Sequence, residues 1–377
     1  MAGAEELPAA KRQAFVDKGF EELRAGAEFP LTQKNKAIFV FRGAARQVAV
    51  AGDMTGWQPS LMMQPVEGTD LFYLEQSYEP EARLDYKLVV DGDWRLDPLN
   101  PKTMPGGYGE NSELRMPGFR PHPATIAEEA LPAGRVTTYT LASEILGQRR
   151  TVHLYRPPGY DESARHTVFF FQDGRDYLRL GQAARTLDYL IHHRQLEPVV
   201  GIFVDPVERT GEYVMNDAYV EFFVRELLPW VEANVAVRAE AAGRVLIGDS
   251  LGGLVCAYLA YKHPEQFGHV LSHSGAFPLA YRDNLELGGQ SYRVIPFGRA
   301  LAEKPLAVKF FLVIGTYERA VGDGMDLVEG NQQFSEDLRA NPTVPGVELR
   351  LYPQGHSWGL WRDTLPDGLV WLLGSDK

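Results

Sequence analysis

Residues 244–263 read RVLIGDSLGGLVCAYLAYKH, a strand-like run, a G-D-S-L-G turn and an apolar helical stretch. The order strand, G-x-S-x-G, helix is that of a nucleophile elbow, with Ser250 at its apex. Gly248 and Gly252 matter because the reversal from strand to helix leaves no room for side chains beside the serine, which is held strained at the end of the sheet. The helix that follows begins at Leu251, whose backbone N–H would face a substrate carbonyl oxygen and form half of an oxyanion hole.

Reading outward from the elbow, strand-like runs fall at 150–156, 167–172, 199–205, 244–248, 269–273 and 308–315, with helical stretches at 217–234 and 251–263. Strands alternating with helices predict βαβ units and a mostly parallel sheet covered on both faces, the α/β-hydrolase arrangement. Upstream the period changes. AIFVF, QVAVAG, LFYLEQSY and LDYKLVVDG between residues 37 and 92 are short β-rich runs divided by turn residues, which predicts an all-β, immunoglobulin-like sandwich. Phe15, Val16, Phe20 and Leu23 mark a short amphipathic helix before it. Residues 98–132 are rich in Pro, Gly and Asn and are expected to break regular elements and to link two domains. The expected division is 1–125 for helix, sandwich and linker and 126–377 for the catalytic domain.

A serine hydroxyl needs an imidazole to take its proton and an acid to orient that imidazole, in the α/β-hydrolase order Ser, acid, His. Of the histidines after Ser250, His263 closes the elbow's own helix and His269 opens the next strand at its far end. His273, in LSHSGAF, reads as a histidine at a strand end near the pocket. His356, in the loop QGHSWGLW after the strand VELRLY, is where the base belongs. The acid should follow the strand KFFLVIG; Glu318 is nearest to its end, and Asp323 and Asp326 remain alternatives. The second oxyanion donor should come from Gly174 or Arg175 in the turn after TVFFFQ. Arg175 and Arg209 suit an anionic ligand or pair with local acids, and Trp358 and Trp361 either wall an acyl pocket or form the buried face of the last helix. Asp249 and Trp358 join Arg209 as candidate substrate contacts.

The chain of 377 residues is 45% hydrophobic and 23% charged, a packed globular composition, and its net charge of -12 argues against nucleic acid as a partner. One cysteine, Cys256, excludes an intrachain disulfide and any thiol cluster for a metal. No apolar run reaches the length of a transmembrane helix, and the first twenty residues lack the apolar core of a secretory signal, so a cytoplasmic protein without membrane contact is expected.

The segments LDPLNPKTMPGGYG, QDG, ERTGEYVMN, RELLPWVE, LIGDSLGGLVCAYLAYKHPEQFGHVLSHSGAF and QGHSWGLWRDTLPDGL resemble the enterochelin (enterobactin) esterase family, in order over most of residues 90–372. That resemblance implies an early-set amino-terminal domain and a cytoplasmic hydrolase that cleaves the serine ester links of a ferric catecholate siderophore, with no metal or organic cofactor of its own. It implies Ser250 and His356 as nucleophile and base, places Glu318 where a family glutamate follows G-x-x, and sets Arg209, Glu212 and Asn216 in a stretch near the site. The chain departs from the family's frequent G-Q-S-F-G-G and G-G-H-D with GDSLGG and QGHSW, and its stretch from Glu318 to Asn331 is longer. Residues 37–100 also resemble glycogen-binding early-set modules, in which Trp57 and Trp94 would stack on sugar; the domain's expected tasks are therefore an active-site lid or a glycan binder. Two other readings remain open: a feruloyl or acetyl esterase on polysaccharide, and a non-catalytic glycan-binding scaffold.

Overall fold

The computed structural model describes residues 7–374 except 108, 127, 129, 130 and 288. The first six residues of the stretch read above for a signal lie outside the described residues. The chain forms two compact units, one of Met1–Arg120 with the short segments Thr316–Glu318 and Tyr352–Trp358, the other of Pro121–Gly315, Arg319–Leu351 and Gly359–Lys377.

The first unit opens with α1 (Ala9–Gly26), which buries Val16 and Phe20 at i, i+4 and leaves Phe15 and Leu23 exposed. Ten strands follow: β1 (Leu31–Gln33), β2 (Lys36–Arg42), β3 (Val48–Gly52), β4 (Leu61–Met62), β5 (Gln64–Pro65), β6 (Leu71–Ser77), β7 (Arg83–Val90), β8 (Asp93–Arg95), β9 (Thr103–Gly106) and β10 (Gly109–Arg115). They make two antiparallel sheets, β1-β2-β6-β5 and β4-β3-β7-β10-β9, with β8 paired to β7. Phe39, Val50, Leu74, Leu84, Tyr86, Leu88 and Leu114 share the core, the inward positions expected of a sandwich.

One sequence expectation fails here. Residues 98–132 were expected to carry no regular element, yet β9 and β10 form a hairpin inside them and β10 pairs with β7. Ser112, Glu113 and Leu114 of β10 are all buried, with Ser112 and Leu114 on one face and Glu113 on the other, so a single core leucine gives no alternating hydrophobic signal.

The second unit carries an eight-stranded sheet in the order β11-β12-β14-β13-β15-β16-β19-β20. Its elements run β11 (Arg135–Ser143), β12 (Gln148–Arg156), β13 (Thr167–Phe171), α2 (Gly174–Arg179), α3 (Ala183–His192), β14 (Val199–Val204), α4 (Arg209–Tyr213), α5 (Asp217–Phe222), α6 (Leu228–Asn234), β15 (Arg244–Asp249), α7 (Leu251–Lys262) and β16 (His269–His273). Then come the hairpin β17 (Asn284–Leu287) and β18 (Gln290–Arg293), β19 (Lys309–Gly315), α8 (Leu327–Ala340), β20 (Gly346–Tyr352) and α9 (Trp358–Leu373). The strands from β14 through β19 are parallel, and β11 and β12 run antiparallel at one side. Every residue of β13, β14 and β15 is buried, as strands covered on both faces require. This is the α/β architecture that the strand and helix spacing predicts. No described helix is long and apolar enough to cross a membrane.

Candidate active site

β15 ends at Asp249 and α7 starts at Leu251, so Ser250 alone makes the turn, at φ 55 and ψ -119. A non-glycine residue there is strained by about 1–3 kcal/mol. The strain is held by three backbone bonds: the Ser250 N–H donates to His273 O (2.8 Å), and Ser250 O accepts from Leu254 N–H (3.2 Å) and Ala276 N–H (3.0 Å). A Cβ on Gly248 would strike the Gly252 carbonyl, and one on Gly252 would lie 3.1 Å from Asp173 Oδ2. The glycines therefore permit the turn itself. Leu251 is the first residue of α7, with its backbone N–H in the helix's unpaired first turn.

Behind the elbow lies a charged cluster. Arg209 donates from Nε and Nη2 to both oxygens of Asp173, each at 2.8 Å, and stands 3.5 Å from Asp249 Oδ2. Asp173 and Asp249 are both buried. Burial and the neighbouring Asp173 push the Asp249 carboxyl well above the usual range, with Arg209 pulling against them. The Arg209 head is thus engaged by Asp173, in the turn after β13, and by Asp249 of the elbow. Asp173 also leads into α2 in the left-handed region, at φ 53, and its N–H donates to Tyr213 Oη (2.9 Å).

In the turn after β13, the Arg175 N–H donates to Asp205 Oδ1 at 2.7 Å, while its guanidinium is 70% exposed beside Asp205 Oδ2. A Cβ on Gly174 would come within 2.5 Å of the Phe203 backbone, so only glycine lets α2 start so close to β14. His273 ends β16 fully buried, its Nδ1 2.9 Å from Tyr177 Oη, and burial pushes its pKa down to about 3. It stays neutral and structural in the working range.

The other chemical group lies in the first unit. His356 Nδ1 is 2.6 Å from Glu318 Oε2, and the Glu318 side chain is fully buried while His356 keeps 22% of its surface. Asp326 is employed differently: its Oδ1 caps α8 by accepting from Glu329 N–H (2.9 Å), and its Oδ2 meets Arg319 at 3.1 Å. Asp323 is exposed. The structure therefore joins His356 to Glu318.

Trp358 heads α9 and is buried; Trp361, one turn on, is buried with its indole N–H donating to Ser274 Oγ (2.8 Å). Glu212, in the stretch with Arg209 and Asn216, takes Arg150 Nη1 at 2.5 Å and Nη2 at 2.8 Å, and Asn216 caps α5; both serve the fold. Cys256 is buried in α7. Among the described residues one group has metal-ligand spacing, the exposed Glu128, His192 and His193, whose ligand atoms lie within 4.8 Å of one another. The sequence reading did not single out Asp173, Asp205 or Tyr177. A carboxylate in the QDGR turn after a buried strand was the available signal for Asp173; Asp205 and Tyr177 carry none.

The family described as "Putative esterase" matches residues 143–372. The iron(III) enterobactin esterase of Dickeya dadantii is 29% identical, over 83% of this chain and 79% of that one. Among solved structures, the ferric enterobactin esterase of Salmonella typhimurium superimposes with a TM-score of 0.74 over 89% of this chain and 93% of its own, at 22% identity. A ferulic acid esterase of Anaeromyces mucronatus reaches 0.54 over 67% of this chain and 95% of its own, at 16% identity. These structural likenesses bear on the fold. The family match covers well over half of the chain and includes the elbow, both segments around Glu318 and His356, and the strands that carry them: the protein belongs to this esterase family.

Proposed function

We propose that the protein hydrolyses the ester links of a catecholate siderophore by a serine acyl-enzyme mechanism. The observation that carries the chemistry is the strained Ser250 between β15 and α7, and the buried-acid pair of Glu318 and His356 supplies the second requirement. Ser250 Oγ attacks the ester carbonyl carbon as His356 Nε2 takes its proton. Glu318 holds Nδ1–H, fixes the tautomer and balances the imidazolium that forms. The Leu251 N–H donates to the oxyanion from one side. The Arg175 N–H is already donated to Asp205, so in this reading the second donor falls to Gly174. Collapse of the tetrahedral intermediate breaks the ester bond, and His356 returns the proton to the leaving alkoxide. Water, activated by the same imidazole, then releases the acyl group and restores Ser250.

The substrate class rests on the enterobactin esterases among the relatives and on the cationic side chain of Arg175 in the turn after β13. The exposed Arg175 guanidinium suits a ferric tricatecholate, whose charge is spread over many oxygens. Arg209 and Asp249 shape the floor behind Ser250, and Trp358 is the aromatic candidate for the acyl group. Iron enters as part of the substrate, and a cytoplasmic site of action goes with that chemistry. A secondary glycan contact would fall to Trp94, 47% exposed on β8, rather than to Trp57, whose indole N–H donates to Asp53 Oδ1 (3.2 Å).

The test is a hydrolysis panel of ferric and iron-free enterobactin, a feruloylated sugar and short p-nitrophenyl esters. The reading expects the enterobactin forms to give the highest kcat/KM. Preference for the feruloylated sugar would move the substrate to plant-type esters and leave the mechanism standing.

A further inference from the structure

Arg83 opens β7 with its side chain fully buried, and each nitrogen of its guanidinium meets a different partner. Nε donates to Glu113 Oε1 (2.5 Å), Nη2 to Asp85 Oδ1 (2.8 Å) and Nη1 to Ser357 Oγ (2.9 Å). Its backbone N–H donates to Pro353 O at 3.1 Å. Pro353 and Ser357 lie on either side of His356 in the chain, so one residue grips the His356 segment before and after the imidazole. Glu113 and Asp85 are in turn fixed: Glu113 Oε2 accepts from Arg115 (2.8 Å), Asp85 Oδ2 from Asn111 (3.3 Å), and the Asp85 N–H donates to Asp53 Oδ2 (2.8 Å). Asp53 closes the cradle. Any Cβ on Gly355, the residue just before His356, would overlap the Asp53 carboxyl group.

Burying an arginine among three acids is costly unless its geometry is well satisfied, and apolar packing at such places is commonly as stable. Here the guanidinium bond to Ser357 reaches beyond the sandwich strands to the His356 segment. We propose that Arg83 is a positioning residue for the reaction, which with Asp85, Glu113 and Asp53 holds the His356 segment so that the imidazole presents Nε2 at a fixed place and angle. A general base misplaced by a fraction of an ångström loses rate without losing substrate affinity. The inference rests on the reading of His356 as the general base.

Replacing Arg83 itself would leave buried acids unpaired and endanger folding, so the decisive variants are at Ser357. Ser357→Ala removes the bond to Nη1; Ser357→Thr keeps a hydroxyl. Full-length enzyme is assayed on p-nitrophenyl butyrate for kcat and KM, and on a fluorophosphonate probe for the rate of labelling at Ser250, with Tm followed alongside. The expected result for Ser357→Ala is a loss of roughly tenfold in both kcat and labelling rate, with KM within about twofold, and recovery of most of the loss in Ser357→Thr. Wild-type kcat and labelling in Ser357→Ala overturn the proposal, whether or not Tm falls. So does a loss confined to KM. Ser250→Ala run in the same series separates this failure from that of the mechanism: if Ser250→Ala is inactive while Ser357→Ala is unimpaired, only the positioning role is lost, and if Ser250→Ala hydrolyses the ester, the acyl-enzyme reading falls instead.

Discussion

Ser250 and His356 differ in where their constraints come from. The contacts that hold Ser250 in its strained turn arise between β15 and the turn after β16, from Gly248, Gly252, Leu254, His273 and Ala276. Those around His356 reach much further along the chain: Arg83 and Ser357 are 274 positions apart, and Asp53 fills the space beside Gly355. A nucleophile can be presented by a turn whose shape neighbouring residues impose. A base on a loop has no such local scaffold, so its position depends on packing against residues that the chain brings back from elsewhere. The elbow should therefore tolerate changes in the sandwich, and the His356 segment should not.

The largest expected effect is at the locally built site. Ser250→Ala should lower ester hydrolysis by about 10⁴-fold or more while stability stays within about 1 kcal/mol, because the residue serves chemistry at a strained position. A tenth of wild-type kcat in that variant would sink the assignment. Next comes the acid. Glu318→Gln should reduce kcat by roughly 10²–10⁴-fold, since an amide cannot balance the imidazolium. Asp326→Asn should leave kcat nearly intact and stability little changed, since an Asn Oδ1 can still cap α8 by accepting from Glu329 N–H. The reverse ranking in kcat would transfer the role to Asp326.

Two effects on stability sharpen the contrast. Gly355→Ala should destabilise by about 1–3 kcal/mol through overlap with Asp53, and the added cost should shrink when Asp53→Ala is combined with it; urea titration of the double-mutant cycle reads this directly. Additivity of the two changes would show that the segment relaxes independently of the sandwich. The last effect concerns pH. Burial, and next Asp85, push Asp53 up from its usual 3.8 to about 8. Above pH 3.8 the unfolded carboxyl releases its proton while the folded one keeps it, so the folded state binds more protons and stability falls as pH rises towards 8. Asp53→Asn should flatten that part of the stability curve between pH 4.5 and 8, and an unchanged slope in urea titrations would mean that Asp53 is ionised in the folded protein.

Much of the architecture was readable from local pattern. The strand read at 269–273 is β16 residue for residue, and those read at 167–172 and 308–315 differ from β13 and β19 by one position each, because strands buried on both faces are nearly uniform in hydrophobicity. The hairpin of β9 and β10 was hidden because both faces of β10 bury a polar residue, Ser112 on one and Glu113 on the other, with Leu114 the one buried hydrophobic position in the strand. Arg83 was hidden for a related reason: an arginine at the head of a strand is usually solvated, and nothing next to it in ARLDYK signals full burial.

The sequence alone therefore determined what depends on neighbours along the chain: the βαβ order, the G-D-S-L-G turn, and a helix amino terminus behind the serine. Tertiary structure decided what depends on charges and backbones brought together from distant positions. It paired His356 with Glu318 at 2.6 Å, gave Arg209 to Asp173, and set Arg83 against Ser357. The physical reason is range. Backbone sterics and hydrophobic period act over a few residues and leave their mark in the order of letters, whereas a hydrogen bond between buried groups has no preferred sequence separation and becomes visible only when the fold has closed around it.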